Sequence, residues 1–352
     1  MTRSMKTLGF GLLASLLFLS EGQQSEAAVL DYKPLAMEVQ KGDRLVIQGF
    51  EGRVKLVGNN RNNAKDIVIN LKQDNPANMS AEGKAVLDEW LFSLQRKGEV
   101  IEVAIRSPQS KQVWSKLLMS GGMPQFYMEI SAPPIPAEVT WRKGTVSIEN
   151  WNDTLSVHVL EGETRVVGGK GEAQVVHQDG TLVLSGREGN VSVESFKGTL
   201  TVAKVKGKLD VENFSGTSRI SDVDGQLNVT STSGTMKISD SKGRLDFHNL
   251  RANLVIDDFS GELRGRNGAG SVSASVKGEA DVRIHSKEGG VSLRLPNSAA
   301  RVNLGTAEGN MALPNYLHVS RLPNLRWVRG RLRGDVKGSV YVRTNEGNIR
   351  LR

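Results

Sequence analysis

The chain has 352 residues, with 46 lysines and arginines against 38 acidic residues, a formal net charge of +8, 38 glycines and no cysteine. Without a thiol it can form no disulfide, no cysteine nucleophile and no cysteine-ligated metal centre. The glycine content and the 5% aromatic content fit a repeat protein, and the positive excess favours anionic surfaces without naming one.

Arg3 and Lys6 precede an apolar run from Leu8 to Leu19 that is too short to span a bilayer and suits a secretory signal, with cleavage expected near Ser25-Glu26-Ala27. Residues 1–27 are therefore read as a signal peptide. No cysteine follows to carry a lipid, and no later stretch is long and apolar enough to cross a bilayer. The chain is expected to be exported to the periplasm, the outer surface or the medium, and not to be integral to the membrane.

Residues 28–141 have a mixed texture. Ile67, Ile69 and Leu71 alternate, as do Ile101, Val103 and Ile105, which predicts strands. Leu87, Trp90, Leu91 and Leu94 fall at helical spacing between Ser80 and Gly98, which predicts a helix with an apolar stripe. This small α+β segment is expected to cover the open N-terminal end of the repeat region beyond it. Ser131-Ala132-Pro133-Pro134-Ile135-Pro136 marks the rigid passage into that region.

From residue 142 to 352 a repeat takes over. Glycine stands at 144, 162, 171, 180, 189, 198, 207, 216, 225, 234, 243, 261 and 270, a nine-residue ladder broken only by Asp153 and Ala252. Each glycine opens a two-residue alternation such as Gly198-Thr199-Leu200-Thr201-Val202, the pattern of a short strand with one buried and one wet face. Two places before the next glycine, Asn, Asp or Ser recurs, as at Asn150, Ser195, Asn213, Asp222 and Asp240, residues that tolerate left-handed backbone and cap turns. One place later come Trp151, Leu160, Phe196, Val205, Phe214, Val223, Leu250 and Phe259, read as side chains tucked inward at a corner.

A slower rhythm doubles the period. Thr181, Thr199, Thr217 and Thr235 lie 18 apart, while alternate nonamers place Asn190, Lys208, Gln226 and Arg244 there. Two nonamers thus make one coil of an all-β parallel solenoid whose units share one core. Arg219 and Lys237 then fall on one face, and Asp210, Asn228 and Asp246 on another, which predicts a basic and an acidic flank.

After Gly270 the rhythm weakens, and between Leu313 and Gly334 it breaks. This irregular loop, 313–334, carries Tyr316, Arg321, Arg326, Trp327, Arg329, Arg331 and Arg333, a basic and aromatic set suited to ligand contact or to covering the last coils. The final strand ends at Arg352 without an evident cap, so a second copy of the chain is expected as one cover for an open C-terminal coil.

Catalytic and metal patterns are scarce. His158, His177, His248, His285 and His318 occupy different phases of the repeat, Ser239-Asp240-Ser241-Lys242 lies on a strand and turn, and the Gly265, Gly268 and Gly270 cluster lacks a following helix. Calcium rolls also repeat every nine residues but need more glycines and acids per unit than Asp179-Gly180 or Asp222-Val223-Asp224-Gly225 provide. The threonine column is a cross-strand ladder and not an ice-binding lattice, because Val183, Arg219 and Lys237 interrupt it. No cofactor or metal is expected.

The strand Phe126-Tyr127-Met128-Glu129-Ile130-Ser131-Ala132-Pro133, the segment Gly144-Thr145-Val146-Ser147-Ile148, the Ser-Gly openings at Gly216, Gly234 and Gly261, and the ending from Gly338 to Leu351 resemble a bacterial family of proposed adhesin domains of unknown function. Relatives of that family include head domains of auto-transporter adhesins. The resemblance implies a right-handed parallel β-helix and a surface or envelope role, with no catalytic residues to transfer. The expected function is a non-enzymatic adhesin-like binding or structural module. Its expected partner is a protein, an anionic polysaccharide or another envelope component, and not nucleic acid. The alternative is a polysaccharide lyase or hydrolase, which would need clustered carboxylates; Asp210 and Asp246 stand two coils apart, roughly 10 Å, with Asn228 between them.

Overall fold

Alternation of buried and exposed positions builds the molecule: in Thr217–Ser231 the apolar Ile220, Val223, Leu227 and Val229 turn inward while Arg219, Asp222 and Asp224 face water. The computed structural model describes residues 29–31, 33–59, 65–74, 91–106, 125–296, 298–335 and 337–352. Among them there is strand and turn but no helix, and so no helix long and apolar enough to cross a membrane. From Ala137 to Asn267 successive strands pair in parallel at a constant offset of 18 residues: Ala173 with Val191, Thr199 with Thr217, Leu227 with Leu245. Thr181, Thr199, Thr217 and Thr235 stand in register, as the 18-residue rhythm requires.

The two glycine phases form two columns. At Gly198 the backbone turns at φ +113°, and a Cβ there would lie 2.0 Å from the carbonyl oxygen of Gly180 in the layer beneath. Only a residue without a side chain fits a corner that is both left-handed and stacked this closely. The column also begins earlier than the ladder suggests. Arg44–Gly58 pairs in parallel with Ala137–Glu149, Gly52 opposite Gly144, so the first layer is laid down before residue 59. The expected boundary at 141 and 142 falls inside the continuous strand Ala137–Glu149.

A set of strands covers that first layer. Asp66–Asp74 runs antiparallel to Gln125–Ala132, which lies on Arg53–Gly58, while Val100–Arg106 lies on Arg44–Gln48. The expected helix does not form in its described part. Leu91–Lys97 is a strand, antiparallel to Val100–Arg106 around a Gly98-Glu99 turn with Gly98 at φ +61°. Leu94 and Phe92 pack on the core from an extended chain whose backbone groups find partners in the hairpin, and Gly98 serves that turn instead of ending a helix. Ser80 to Trp90 lie outside the described residues.

The other end of the stack is interleaved. Ile349–Leu351 lies between Val291–Arg294 and Met311–Ala312, and Ser339–Thr344 lies between Val272–Ser286 and Arg301–Thr306. The chain therefore returns to insert its last turn beneath a turn it made earlier. Gly347 stacks on Gly289 and Gly309 on Gly347, so the glycine column follows the spatial order and not the chain order. The expected open coil at Arg352 is absent, because both edges of its strand are paired. The outermost layer, Arg301–Thr306, is covered by Leu325–Arg331, which forms an antiparallel hairpin with Ser320–Leu322. The stretch read as an irregular loop thus contributes strands, and its Val328 and Leu332 are buried.

Corner residues split into two kinds. Trp151, Val205, Val223 and Phe259 are buried as expected, but Phe196, Phe214 and Leu250 are 38%, 40% and 50% exposed. At their corner the preceding residue takes the inward place: His177, Ser195, Asn213, Ser231, Asn249, Asn267 and Ser286 form a buried polar column. Asn249 donates to Asn267 at 2.6 Å, Asn267 donates to Ser286 at 2.8 Å, and Asn249 also closes its own turn by bonding Ala252 O at 2.7 Å. The opposite corner uses Asn150, Lys204, Asp222, Asp240 and Asp258 in the left-handed conformation, φ 51° to 55°. The turn-forming residues read as one class therefore serve two different corners, and Phe196 and Phe214 are left outside, stacked on each other at 4.5 Å.

His177 heads the polar column, fully buried with Nε2 3.2 Å from Gly162 O, and burial holds its pKa below the usual value despite the Gly162 carbonyl and the nearby Asp179. The imidazole is thus neutral in the fold and titrates more readily in the unfolded chain. Its contribution is fully present above the unfolded value near 6.5 and is lost as pH falls through the folded value, at up to about 1.4 kcal/mol per pH unit. Urea unfolding between pH 7.5 and pH 5 should show this slope in the native protein and a smaller one in His177→Val, which copies the neighbouring Val159. An unchanged slope assigns the acid sensitivity to other groups.

Candidate functional site

The strand order at the interleaved end brings together residues far apart in the chain. Outward positions on one face run from Arg264 and Arg266 to Arg283 and His285, then Tyr341 and Arg343, then Asn303 and Gly305, and finally Arg329 and Trp327. These are the same alternating phases that Asp210, Asn228 and Asp246 occupy in earlier layers. A shallow depression of about 460 Å3 lies where the two stretches meet, lined by Asp246, His248, Arg264, Arg266, Arg283 and His285.

Arg343 is the most constrained cation on this face. Its Nε donates to the Tyr341 hydroxyl at 3.2 Å, its Nη2 to Asn303 Oδ1 at 3.3 Å, and its guanidinium lies 5.4 Å from the Tyr341 ring centre. The group extends over Gly305, where a Cβ would come within 1.8 Å of Nη1. A glycine thus makes room for a half-buried guanidinium oriented by two neutral partners. Tyr341 packs in turn against His285, with ring centres 5.3 Å apart. Among the described residues no carboxylate comes within ion-pair distance of Arg266, Arg283, Arg329 or Arg343, whereas Arg264 is paired with Glu262.

The seven residues expected to contact a ligand divide. Arg326 donates to Gly309 O at 2.8 Å and to Asn310, and Arg331 Nε reaches Ala299 O at 3.4 Å, so both help fix the hairpin to the stack. Tyr316 packs against the core with Arg333 4.9 Å from its ring centre, and Arg321 stands exposed opposite Arg326. Trp327 and Arg329, 5.2 Å apart by cation–π geometry, join the cationic face. Sequence reading missed Arg264, Arg266, Arg283, His285, Tyr341 and Arg343. The first four were legible by stepping 18 or 19 residues on from Asp246 and His248. The last two were not, because only the inserted final turn places them there.

The flanks expected from Asp210 and Lys237 are not single-signed. Lys208 pairs with Asp210 at 2.7 Å, Arg244 with Asp246 at 2.6 Å and Lys237 with Asp257 at 3.1 Å. The face read as acidic turns basic beyond Asp246. Asn228 also donates to Asp210 at 2.5 Å, so Asp210 has an amide partner as well as an ion pair. Among the described residues no three histidine or acidic side chains converge as a metal site.

Residues 140–352 match the family described as Toastrack DUF4097. Among curated protein sequences, none matches the chain. Solved structures to which the chain is similar include a proposed cell adhesion protein from Clostridium sporogenes, 12% identical over 91% of this chain and 98% of that one, with a TM-score of 0.20. Others are a proposed lipid-binding protein from Parabacteroides distasonis (10% identity, 91% and 96% covered, TM-score 0.30) and a proposed adhesin from Bacteroides fragilis (11% identity, 93% and 99% covered, TM-score 0.23).

Proposed function

The chain belongs to the Toastrack DUF4097 family, and on that premise we propose that it is an exported, non-enzymatic binding module, adhesin-like in its mode of contact, that holds an anionic component of the envelope or its surroundings. The signal-like residues 1–27 support export, and the stack is taken to wind right-handed, the hand adopted by crossovers between parallel strands. One observation carries the reading: Arg343 is oriented over Gly305 by Tyr341 and Asn303, and among the described residues no carboxylate lies within ion-pair distance of it or of Arg266, Arg283 and Arg329. A guanidinium oriented by neutral groups keeps its charge and planar fork for an incoming anion. Paired and hydrogen-bonded acids at Asp210 and Asp246 speak against the lyase or hydrolase alternative.

Retention of the purified protein on acidic and on neutral polysaccharide matrices tests this. Retention is expected on the acidic matrix alone, weakening as salt rises. An Arg283→Gln, Arg343→Gln double variant is expected to lose it while unfolding at the same temperature. Equal retention on the neutral matrix, or full retention by the double variant, would overturn the proposal.

A further inference from the structure

The cationic face has a period as well as a sign. Its unpaired arginines lie on successive layers: Arg266 on Asn253–Asn267, Arg283 on Val272–Ser286, Arg343 on Ser339–Thr344 and Arg329 on Leu325–Arg331, with only Arg301–Thr306 between the last two. Neighbouring strands are about 4.8 Å apart, so these five layers span roughly 19 Å along the axis of the stack. The rings of His285 and Trp327 stand in the register column of Arg266 and Arg343, and the Tyr341 ring in the adjoining column of Arg283 and Arg329, two residues along the strands.

Resting on the reading above, we propose that the ligand is a linear polyuronate glycan lying along the axis of the stack, across the strands, with one sugar to each layer. A pyranose ring in an extended glycan advances by nearly the layer spacing of about 4.8 Å. A polymer on this path meets a cation at almost every step. Each carboxylate faces a guanidinium able to bind it through two parallel hydrogen bonds, which an ammonium cannot reproduce. Tyr341 and Trp327, each with a guanidinium over its ring, offer their remaining apolar surface to the C–H groups of the sugars. A polyphosphate has no such groups, so the aromatic side chains favour the glycan. The layer at Arg301–Thr306 presents Asn303 and Gly305, and the Arg343 guanidinium reaches over Gly305 to fill that step.

Calorimetric titration of the full-length protein with oligogalacturonates from the monomer upward reads this arrangement directly. Affinity should climb with each added sugar and level off at about five, one for each layer of the track. Trp327→Ala with Tyr341→Ala should weaken the pentamer roughly tenfold. Gly305→Ala removes no charge but displaces Arg343, and should weaken binding as well; Arg343→Lys should not restore full affinity. A monomer that binds as tightly as the pentamer, indifference to Gly305→Ala, or equally tight binding of inorganic polyphosphate or single-stranded DNA at matched charge would each overturn the axial glycan. If acidic oligosaccharides bind without length dependence, the anion-binding reading stands and this inference alone falls. If no acidic polymer binds, both fall.

Discussion

Gly198→Ala should destabilise the protein by more than about 3 kcal/mol, measured by urea or thermal unfolding. Two costs combine at this position. The backbone stands at φ +113°, where an L side chain is strained, and the new Cβ would meet Gly180 O at 2.0 Å and Gly180 C at 2.9 Å. Those atoms are backbone, fixed by the ladder between Ala173–Ser185 and Glu188–Asn213, so they cannot turn aside as a side chain would. The layers must separate or the corner must reshape, and in a stack stabilised by neighbour-to-neighbour contacts the damage reaches both adjoining layers. Gly98→Ala supplies the contrast. Its φ is +61° and, among the described residues, no atom beyond its own chain neighbours lies within 4 Å of the position an alanine methyl would take, so about 1 kcal/mol is expected. Equal losses at the two glycines would show that close stacking is not what makes glycine necessary in the ladder.

The same ladder explains why so much of the fold could be read from the chain. A residue type forced by close stacking must recur at the stacking period, so the glycines, the threonines at 181, 199, 217 and 235, and the alternation between them disclose strand, corner and an 18-residue offset together. Gly52 was legible too, since Phe50-Glu51-Gly52-Arg53-Val54 has the form of Phe196-Lys197-Gly198-Thr199-Leu200, but one isolated unit carries no period. Leu91 and Leu94 misled because a helical spacing of four apolar residues also occurs in a strand, and only pairing with Val100–Arg106 decides between them. The insertion of Ser339–Thr344 and Ile349–Leu351 beneath an earlier turn leaves no local trace, because it depends on which free edge the chain finds last. Half of the candidate site therefore lay in readable register, at Arg264, Arg266, Arg283 and His285. Trp327 and Arg329 were legible as a basic and aromatic pair, and only their meeting with Tyr341 and Arg343 depends on that insertion.

Arg187→Ala is expected to cost about 3–5 kcal/mol, for a reason the repeat conceals. Arg187 is 1% exposed and occupies the corner column shared by Trp151, Val205, Val223 and Phe259. Its Nη1 donates to Trp151 O at 2.7 Å, and Nη2 to Lys170 O at 3.1 Å and Asp153 O at 3.3 Å. Burial lowers its pKa, yet an arginine so depressed still carries its charge at neutral pH. The carbonyls it serves belong to the two irregular corners, 151–153 and 168–172, where the ladder has Asp153 in place of glycine. There the continuous ladder gives way to isolated bonds, such as Lys170 N to Trp151 O at 3.2 Å, and one long side chain from the next layer adds donors to oxygens of both corners. Gly169 leaves the channel open, since a Cβ there would come within 2.8 Å of Arg187 Nη1. Truncation to alanine removes the donors and leaves Trp151 O with only the longer bond from Lys170 N at 3.2 Å, whereas Arg187→Lys keeps a charge but replaces the planar fork with a single point of contact and should recover only part of the loss. Chemical denaturation of the three proteins checks the ranking. If alanine and lysine are equally mild, within about 1 kcal/mol of the native protein, water serves those carbonyls as well as the guanidinium does, and the break in the ladder at Asp153 needs another support.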